Sequence, residues 1–410
     1  RETDEFKMNK NNHTLLAALI ALSLIAGFTT YFVSPDLNKT VVQGEGEGII
    51  TKFDSTTQLA QEGTENSTIT NNRINNAQSS IDKSQFKKAP EFAETTGYIN
   101  TELIKLTDLR GKVVLVNFWT YTCINWIRTI PYLIDWDEKY ANKGLVIVGV
   151  HTPEFEFEKN IDNVKAAVDK FGLKYSIVQD NNKETWNAYE NRYWPRIYLV
   201  DSEGDIRYDH IGEGGYAETE KVIQSLLQER AAQMGNDTGL LKFDIANTTA
   251  IPNGVQSVDF SQIKTPELYF GYQFARTPLG NTEGHKANQI VTYTFPPSDI
   301  KSNIIYLDGK WKNNAENMEL ESETGRIALV YSAKSVNIIA GGNGGEEISV
   351  SEGGKLLSGT PAGPDLSEEG KFLIDGQRLY TLSMHDGYGN HSLILDVKGK
   401  GFQAYAFSFG

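Results

Sequence analysis

Residues 111–131 read GKVVLVNFWTYTCINWIRTIP, and the fold turns on them. Val113–Trp119 is a nearly unbroken apolar run, as expected of a strand buried on both faces. A helical pattern, Ile124–Tyr140, follows at once, so Cys123 stands where the chain leaves a strand and opens a helix. Unpaired backbone N–H groups and the positive end of the helix dipole favour a thiolate at such a position, which predicts a lowered thiol pKa. Pro131 falls inside the helical pattern and predicts a kink.

Outward from this stretch the pattern keeps alternating. Strands are expected at 145–150, Ser176–Gln179, Arg196–Val200 and 206–210, and helices at 158–171, 183–189 and 217–232. Asp201-Ser202-Glu203-Gly204 is a turn sequence suited to a hairpin between the last two strands. This order predicts an α/β fold, a mixed central sheet with helices on both faces. After Gly235 the runs RIALVYSAKSVNIIA, HSLILDVKG and FQAYAFSFG are strand-like and separated by Gly, Asn and Asp, which predicts an all-β sandwich. Before the α/β region, residues 15–33 carry no charge and match the length of a membrane-spanning helix, about 20 residues. The division is therefore a leader (1–13), a transmembrane anchor or signal segment (14–34), a disordered polar linker (35–88), the α/β domain (89–234) and the β-sandwich (235–410). An anchor leaves the rest tethered to the membrane on the extracytoplasmic side; a cleaved signal leaves it secreted.

Composition narrows the chemistry. The chain has 410 residues, too many for one compact domain, and a formal net charge of −14. So acidic a protein repels phosphate backbones, and no nucleic-acid partner is expected. With one cysteine, no disulfide can form within the chain.

The segments GKVVLVNFWTYTC, GLVIVGVHTPEF, RYWPRIYLVDSEG and GEGGYAETE occur in an order that resembles the extracytoplasmic thioredoxin-like proteins related to TlpA. The resemblance is closest to the thioredoxin module of the DipZ family. TPELYFGY and GFQAYAFSFG resemble the carbohydrate-binding-module-like domain carried by many of its members. The resemblance implies a thioredoxin fold and a C-x-x-C active site. Cys123 matches the first cysteine, which attacks a substrate disulfide. The place of the second, resolving cysteine holds Trp126, and an indole can neither attack a disulfide nor leave as a thiolate. A full dithiol cycle is thus excluded. What remains is attack on a protein or small-molecule disulfide and capture of one half as a mixed disulfide, released by an external thiol reductant.

Other positions carry over one by one. Pro195 matches the cis-proline facing the cysteines, which leaves the Trp194 peptide free to pair with an extended substrate, with Arg196 beside it as a groove residue that could favour a thiolate. Asn117 stands where thioredoxins carry a proton-moving Asp; it cannot titrate, so a structural role is expected for it and for Trp119. Glu154 fits the Glu that TlpA-like proteins place near the cysteines, a proton partner for the thiol or else a flank of the next helix. A one-cysteine peroxidase is a lesser alternative: Thr120 fits P-x-x-x-T-x-x-C, but Val116 replaces its proline. A non-catalytic adaptor binding a protein or glycan is the main competitor. Tyr269, Tyr272, Trp311 and Tyr388 could stack on sugars, although packing is their commoner use. No cofactor is expected, and no metal either, since His385 and His391 lack a third partner in the sequence.

Overall fold

The computed structural model describes residues 83–235, 258–296 and 300–410. Its first part is a six-stranded sheet made of β1 (Gly97–Ile99), β2 (Val113–Trp119), β3 (Leu145–His151), β4 (Ser176–Gln179), β5 (Arg196–Val200) and β6 (Ile206–Ile211), in the order β1-β4-β3-β2-β5-β6. The neighbours β2, β3 and β4 run parallel; β1, β5 and β6 are antiparallel to their neighbours. All seven residues of the inner strand β2 are buried, which is why its sequence does not alternate. Its two faces still differ. Val113, Leu115 and Trp119 pack with α1 (Ile124–Tyr140), α2 (Ile161–Phe171) and α4 (Tyr216–Gln233). Val114, Val116 and Phe118 pack with Trp186 of the short α3 (Glu184–Ala188), Tyr189 and the segment carrying Ala89, Phe92 and Leu106. This is the mixed sheet with helices on both faces that the alternating pattern implied, in the thioredoxin-like arrangement that the resemblance implied.

Three local expectations need correction. The helix expected at 158–171 is a short 3-10 turn, Glu156–Lys159, followed by α2, because the Asn160 side chain accepts the Asp162 N–H and starts a new helix. The edge strand β1, three residues long, was not foreseen. Within the expected linker 35–88, residues from Lys83 onward are docked. Lys83 Nζ lies 2.9 Å from Asp201 and 2.8 Å from Glu229, and Lys88 Nζ 2.9 Å from Asp205. The buried carboxylates of the β5–β6 turn draw those lysines in. The rest of that linker and the segment 14–34 lie outside the described residues, and no helix among the described residues is long and apolar enough to cross a membrane.

Beyond Gln233 the described residues contain strands and no helix. The strands are β7 (Leu268–Tyr269), β8 (Ile290–Tyr293), β9 (Tyr306–Asn313), β10 (Met318–Gly341), β11 (Glu347–Glu352), β12 (Lys355–Leu356), β13 (Lys371–Leu373), β14 (Arg378–Lys398) and β15 (Gln403–Phe409). The expected two-sheet sandwich is instead one continuous nine-stranded sheet. Register shifts near Ala333, Val336 and Ile339 bend the 24-residue β10. Ala404 of β15 is paired with both Met318 and Ala340, so the two ends of β10 flank one strand and the sheet curls round its own core. That core holds Trp311, Tyr293, Tyr331, Phe402 and Phe407.

The two parts do not merely sit in series. Phe155, just after β3, packs 5.2 Å from Tyr405 and 5.6 Å from Phe274, and Phe157 lies 4.8 Å from Tyr405. Tyr269, Ile339, Leu379 and Ala406 of the β part belong to the same apolar cluster as Trp126 and Leu133 of α1.

Candidate active site at the start of helix α1

Cys123 is the N-cap residue of α1, half-buried, with a free thiol. Its N–H donates to the Thr120 carbonyl at 3.2 Å, which closes the turn out of β2. The thiol reaches the Trp194 carbonyl oxygen at 3.7 Å, and the Trp194–Pro195 peptide is cis. Three stretches far apart in sequence therefore converge here: the turn from β2 into α1, the loop entering β5 and the loop leaving β3. Trp194 is fixed by its own contacts. Its indole N–H donates to the Thr152 carbonyl at 3.0 Å, its ring packs 4.4 Å from Trp186, and Lys183 Nζ sits 5.3 Å from the ring centre.

Trp126, one helical turn after Cys123, is fully buried. Its ring stacks on Trp119 at 4.2 Å, and its N–H donates to Asn117 Oδ1 at 2.9 Å. The place of a second cysteine is thus filled by an aromatic stack with a satisfied polar tip. Gly149 of β3 makes room for it, since a Cβ there would lie 2.9 Å from Trp119 Nε1.

Two layers of carboxylates surround the thiol. Glu158 accepts the Thr122 hydroxyl at 2.6 Å, the Glu154 N–H at 2.7 Å and the Phe155 N–H at 3.0 Å. Glu154 accepts the Tyr269 hydroxyl at 2.7 Å, and Glu267 contacts that same hydroxyl at 2.8 Å. Tyr269 and Glu267 come from the β part. Burial drives the carboxyls of Glu154 and Glu267 upward; Glu267 and Glu158 add to this at Glu154 through like charge. Burial likewise pushes the Cys123 thiol up. The negative charges of Glu267 and Glu154 add to this, against the pull of the Trp126 and Asn125 N–H groups. The lowered thiol pKa expected from the helix start is therefore overturned: the dipole is present, but burial and acidic neighbours outweigh it.

The remaining expected residues divide. Arg196 is committed elsewhere, its guanidinium 2.6 Å from Asp209 and over the Tyr198 ring, so the expectation that it lines the groove gives way to an ion pair with β6. Trp311 is fully buried and Tyr269 serves the interface, so neither is free to stack on a sugar. His385 and His391 do have a third partner: Glu352 lies 2.9 Å and 3.8 Å from their nitrogens. The two rings stack face to face, 3.7 Å apart and 14° from parallel. The ligand atoms of the three residues lie within 4.8 Å of one another, and Tyr331 donates to Glu352 at 2.6 Å. The cluster is a hydrogen-bonded network as it stands.

Sequence reading missed four participants. Glu158 and Thr122 sit beside residues it did weigh. It weighed Tyr269 only as an aromatic that could stack on sugars, and Glu267 lies in the TPELYFGY stretch, noted only as a domain marker. A buried pair, Arg128 of α1 and Glu213 after β6, at 2.6 Å, ties the helix carrying Cys123 to the far side of the sheet.

Comparison with known proteins agrees with this architecture. Residues 86–209 match the AhpC/TSA family and residues 265–410 the Thioredoxin like C-terminal domain. Over 326 residues, 78% of this chain, it is 34% identical to Protein DipZ of Mycobacterium tuberculosis. The chain is homologous to DipZ. It spans 43% of that protein's length, so the similarity concerns the two described parts. Thiol-disulfide oxidoreductase ResA of Bacillus anthracis is 29% identical over 143 residues, 35% of this chain and 76% of that one. Human NHL repeat-containing protein 2 is 38% identical over 128 residues, 30% of this chain and 18% of that one. The solved thiol-disulfide isomerase of Corynebacterium glutamicum is 25% identical, with a TM-score of 0.32, over 34% of this chain and 96% of that one. Its relatives thus include thiol-disulfide oxidoreductases of the thioredoxin type.

Proposed function

We propose that this chain is a thiol-disulfide oxidoreductase-like protein that works through Cys123 alone, held outside the cytoplasm by the apolar segment 14–34. Cys123 attacks the disulfide of an extracytoplasmic protein or small molecule and holds one half as a mixed disulfide. A second, external thiol releases it, because Trp126 cannot. The observation that carries this reading is the thiol at 3.7 Å from the Trp194 carbonyl beside cis-Pro195, the peptide along which an extended substrate would lie in this reading. Trapping mixed disulfides on Cys123 in extracts, with Cys123→Ser as the blank, tests it by mass spectrometry. Cys123-dependent adducts that a small thiol removes are expected; their absence from correctly folded protein sinks the reading.

A second reading is a non-catalytic adaptor. It is favoured by the elevated thiol pKa and by the complete burial of Trp126 in an aromatic stack. It expects partner binding that survives Cys123→Ser unchanged.

A further inference from the structure

The Tyr269 hydroxyl lies within hydrogen-bond distance of two carboxylates at once, Glu154 Oε1 at 2.7 Å and Glu267 Oε2 at 2.8 Å. A phenol has one proton to give. If both acids were ionised, one short oxygen–oxygen contact would have no proton in it and two negative groups would meet at one oxygen. The geometry closes when one carboxyl is protonated and donates to the phenol oxygen, while the phenol donates to the other. The chain then reads carboxylic acid, hydroxyl, carboxylate, and shifting two protons together produces its mirror image.

The two ends of this chain face different surroundings. Glu154 lines a cavity of about 250 Å³ open to solvent, with Pro153, Asn181, Asn182, Lys183 and Glu316. The loop carrying Glu154 reaches the thiol's own partner, since the Trp194 indole N–H donates to the Thr152 carbonyl at 3.0 Å and the Trp194 carbonyl lies 3.7 Å from Sγ. The negative charges of Glu267 and Glu154 add to the rise that burial gives the Cys123 thiol. The other charged groups facing the chain are Glu158, Lys183 on the Glu154 side and Arg276, which sits 5.6 Å over the Tyr269 ring.

We propose that Glu267 and Tyr269 of the β part form, with Glu154, a proton relay that serves the Cys123 thiol and leads from it to the solvent cavity. This deepens the thiol chemistry proposed above and rests on it. In the exchange step Cys123–SH and R–S–S–R′ give Cys123–S–S–R and R′–SH. The thiol proton passes to the ionised end of the relay as Cys123 attacks. The protonated end supplies a proton to the leaving R′ thiolate as the substrate S–S bond breaks. One disulfide replaces another, no net electron is gained or lost, and the relay ends with the proton count it began with. Tyr269 is the positioning residue here, carrying the shared proton between the two carboxyls, and Glu154 and Glu267 are the ends that give and take it. The β part thereby completes the thiol site.

Two measurements on the full chain test this. The first is infrared spectroscopy at neutral pH, which reads the carbonyl stretch of a protonated carboxyl. That band is expected in the unmodified chain and expected to vanish in both Glu154→Gln and Glu267→Gln, since one shared proton needs two acids. No band, or a band that survives Glu267→Gln, overturns the proposal. The second compares Cys123 rates against pH in the unmodified chain, Glu267→Gln and Tyr269→Phe, with circular dichroism to check folding. By the same count Glu267→Gln leaves one carboxylate where there was one before, so alkylation, which needs no proton donor, should change by less than about threefold at fixed pH. The substitution should slow exchange with an alkyl disulfide, about tenfold relative to an aromatic disulfide whose leaving thiolate needs no proton. Alkylation and alkyl-disulfide exchange moving together would mean a merely structural role. If the unmodified chain forms no mixed disulfide while the infrared band behaves as expected, the thiol reading falls and the shared proton stands.

Discussion

His151, the last residue of β3, offers the cleanest quantitative check on the packing behind Cys123. It is fully buried, with its ring 4.8 Å from Trp119 and 5.8 Å from Tyr121, and among the described residues neither ring nitrogen has a hydrogen-bond partner. Burial holds its pKa down to about 3, from 6.5 for a free imidazole. Below pH 6.5 the unfolded chain takes up a proton that the folded chain refuses, so stability falls as pH falls, levelling off near pH 3. At 1.36 kcal/mol per pH unit this costs about 2–3 kcal/mol between pH 6.5 and 4.5, and about 5 kcal/mol in all. His151→Phe removes the titration and keeps an aromatic ring in the stack. At pH 7 the variant should be as stable as the parent, or slightly more, because two unpartnered nitrogens are gone. Denaturant unfolding of both chains at pH 7 and 4.5 gives the comparison. The raised carboxyls of Glu154 and Glu267 act in the opposite direction, but equally in both chains. The expected result is a parent that loses about 2–3 kcal/mol more than the variant over that interval. Equal pH slopes would refute the reasoning, and with it the claim that this imidazole is closed to solvent.

Trp126→Cys restores a two-cysteine motif but empties a fully buried site and leaves Asn117 without its donor, so unfolding should be easier by about 3–5 kcal/mol. A loss under about 1 kcal/mol would mean the aromatic stack contributes little. Glu213→Ala strands the Arg128 guanidinium, only 6% exposed, and should cost about 3–5 kcal/mol in thermal or denaturant unfolding. A change near zero would place that pair in solvent. Gly149→Ala drives a methyl to 2.9 Å from Trp119 Nε1 and should destabilise by about 1–3 kcal/mol, with a change in near-ultraviolet circular dichroism reporting the displaced indole.

What the sequence made legible was local. The run Val113–Trp119 and the helix Ile124–Tyr140 have the bounds their patterns implied, because a doubly buried strand and a long helix impose periodicity on every residue they contain. Cys123 at a helix start could be located for the same reason, whereas the cis-proline at Pro195 was given by the resemblance. What could not be read was the environment assembled from distant residues. Nothing near Cys123 in sequence announces that Glu267, 144 positions later by its number, bears on the thiol. The same holds for Arg196, whose partner Asp209 is fixed by strand pairing, and for Glu352, which sheet curvature brings to His385 and His391. The two-sheet expectation failed because strand patterns reveal which residues face inward and not whether one strand bends through both layers.

The aromatic seam between the two parts has a practical meaning. The sequence invites a cut near residue 235 to obtain the thioredoxin-like part alone. Such a cut would leave Phe155 and Phe157 facing water, each forfeiting up to about 1.5–3 kcal/mol of burial. It would also strip Glu154 of the hydroxyl it binds. The excised piece would be a stickier protein with a differently ionised site, and its thiol would answer a question about a molecule other than this one.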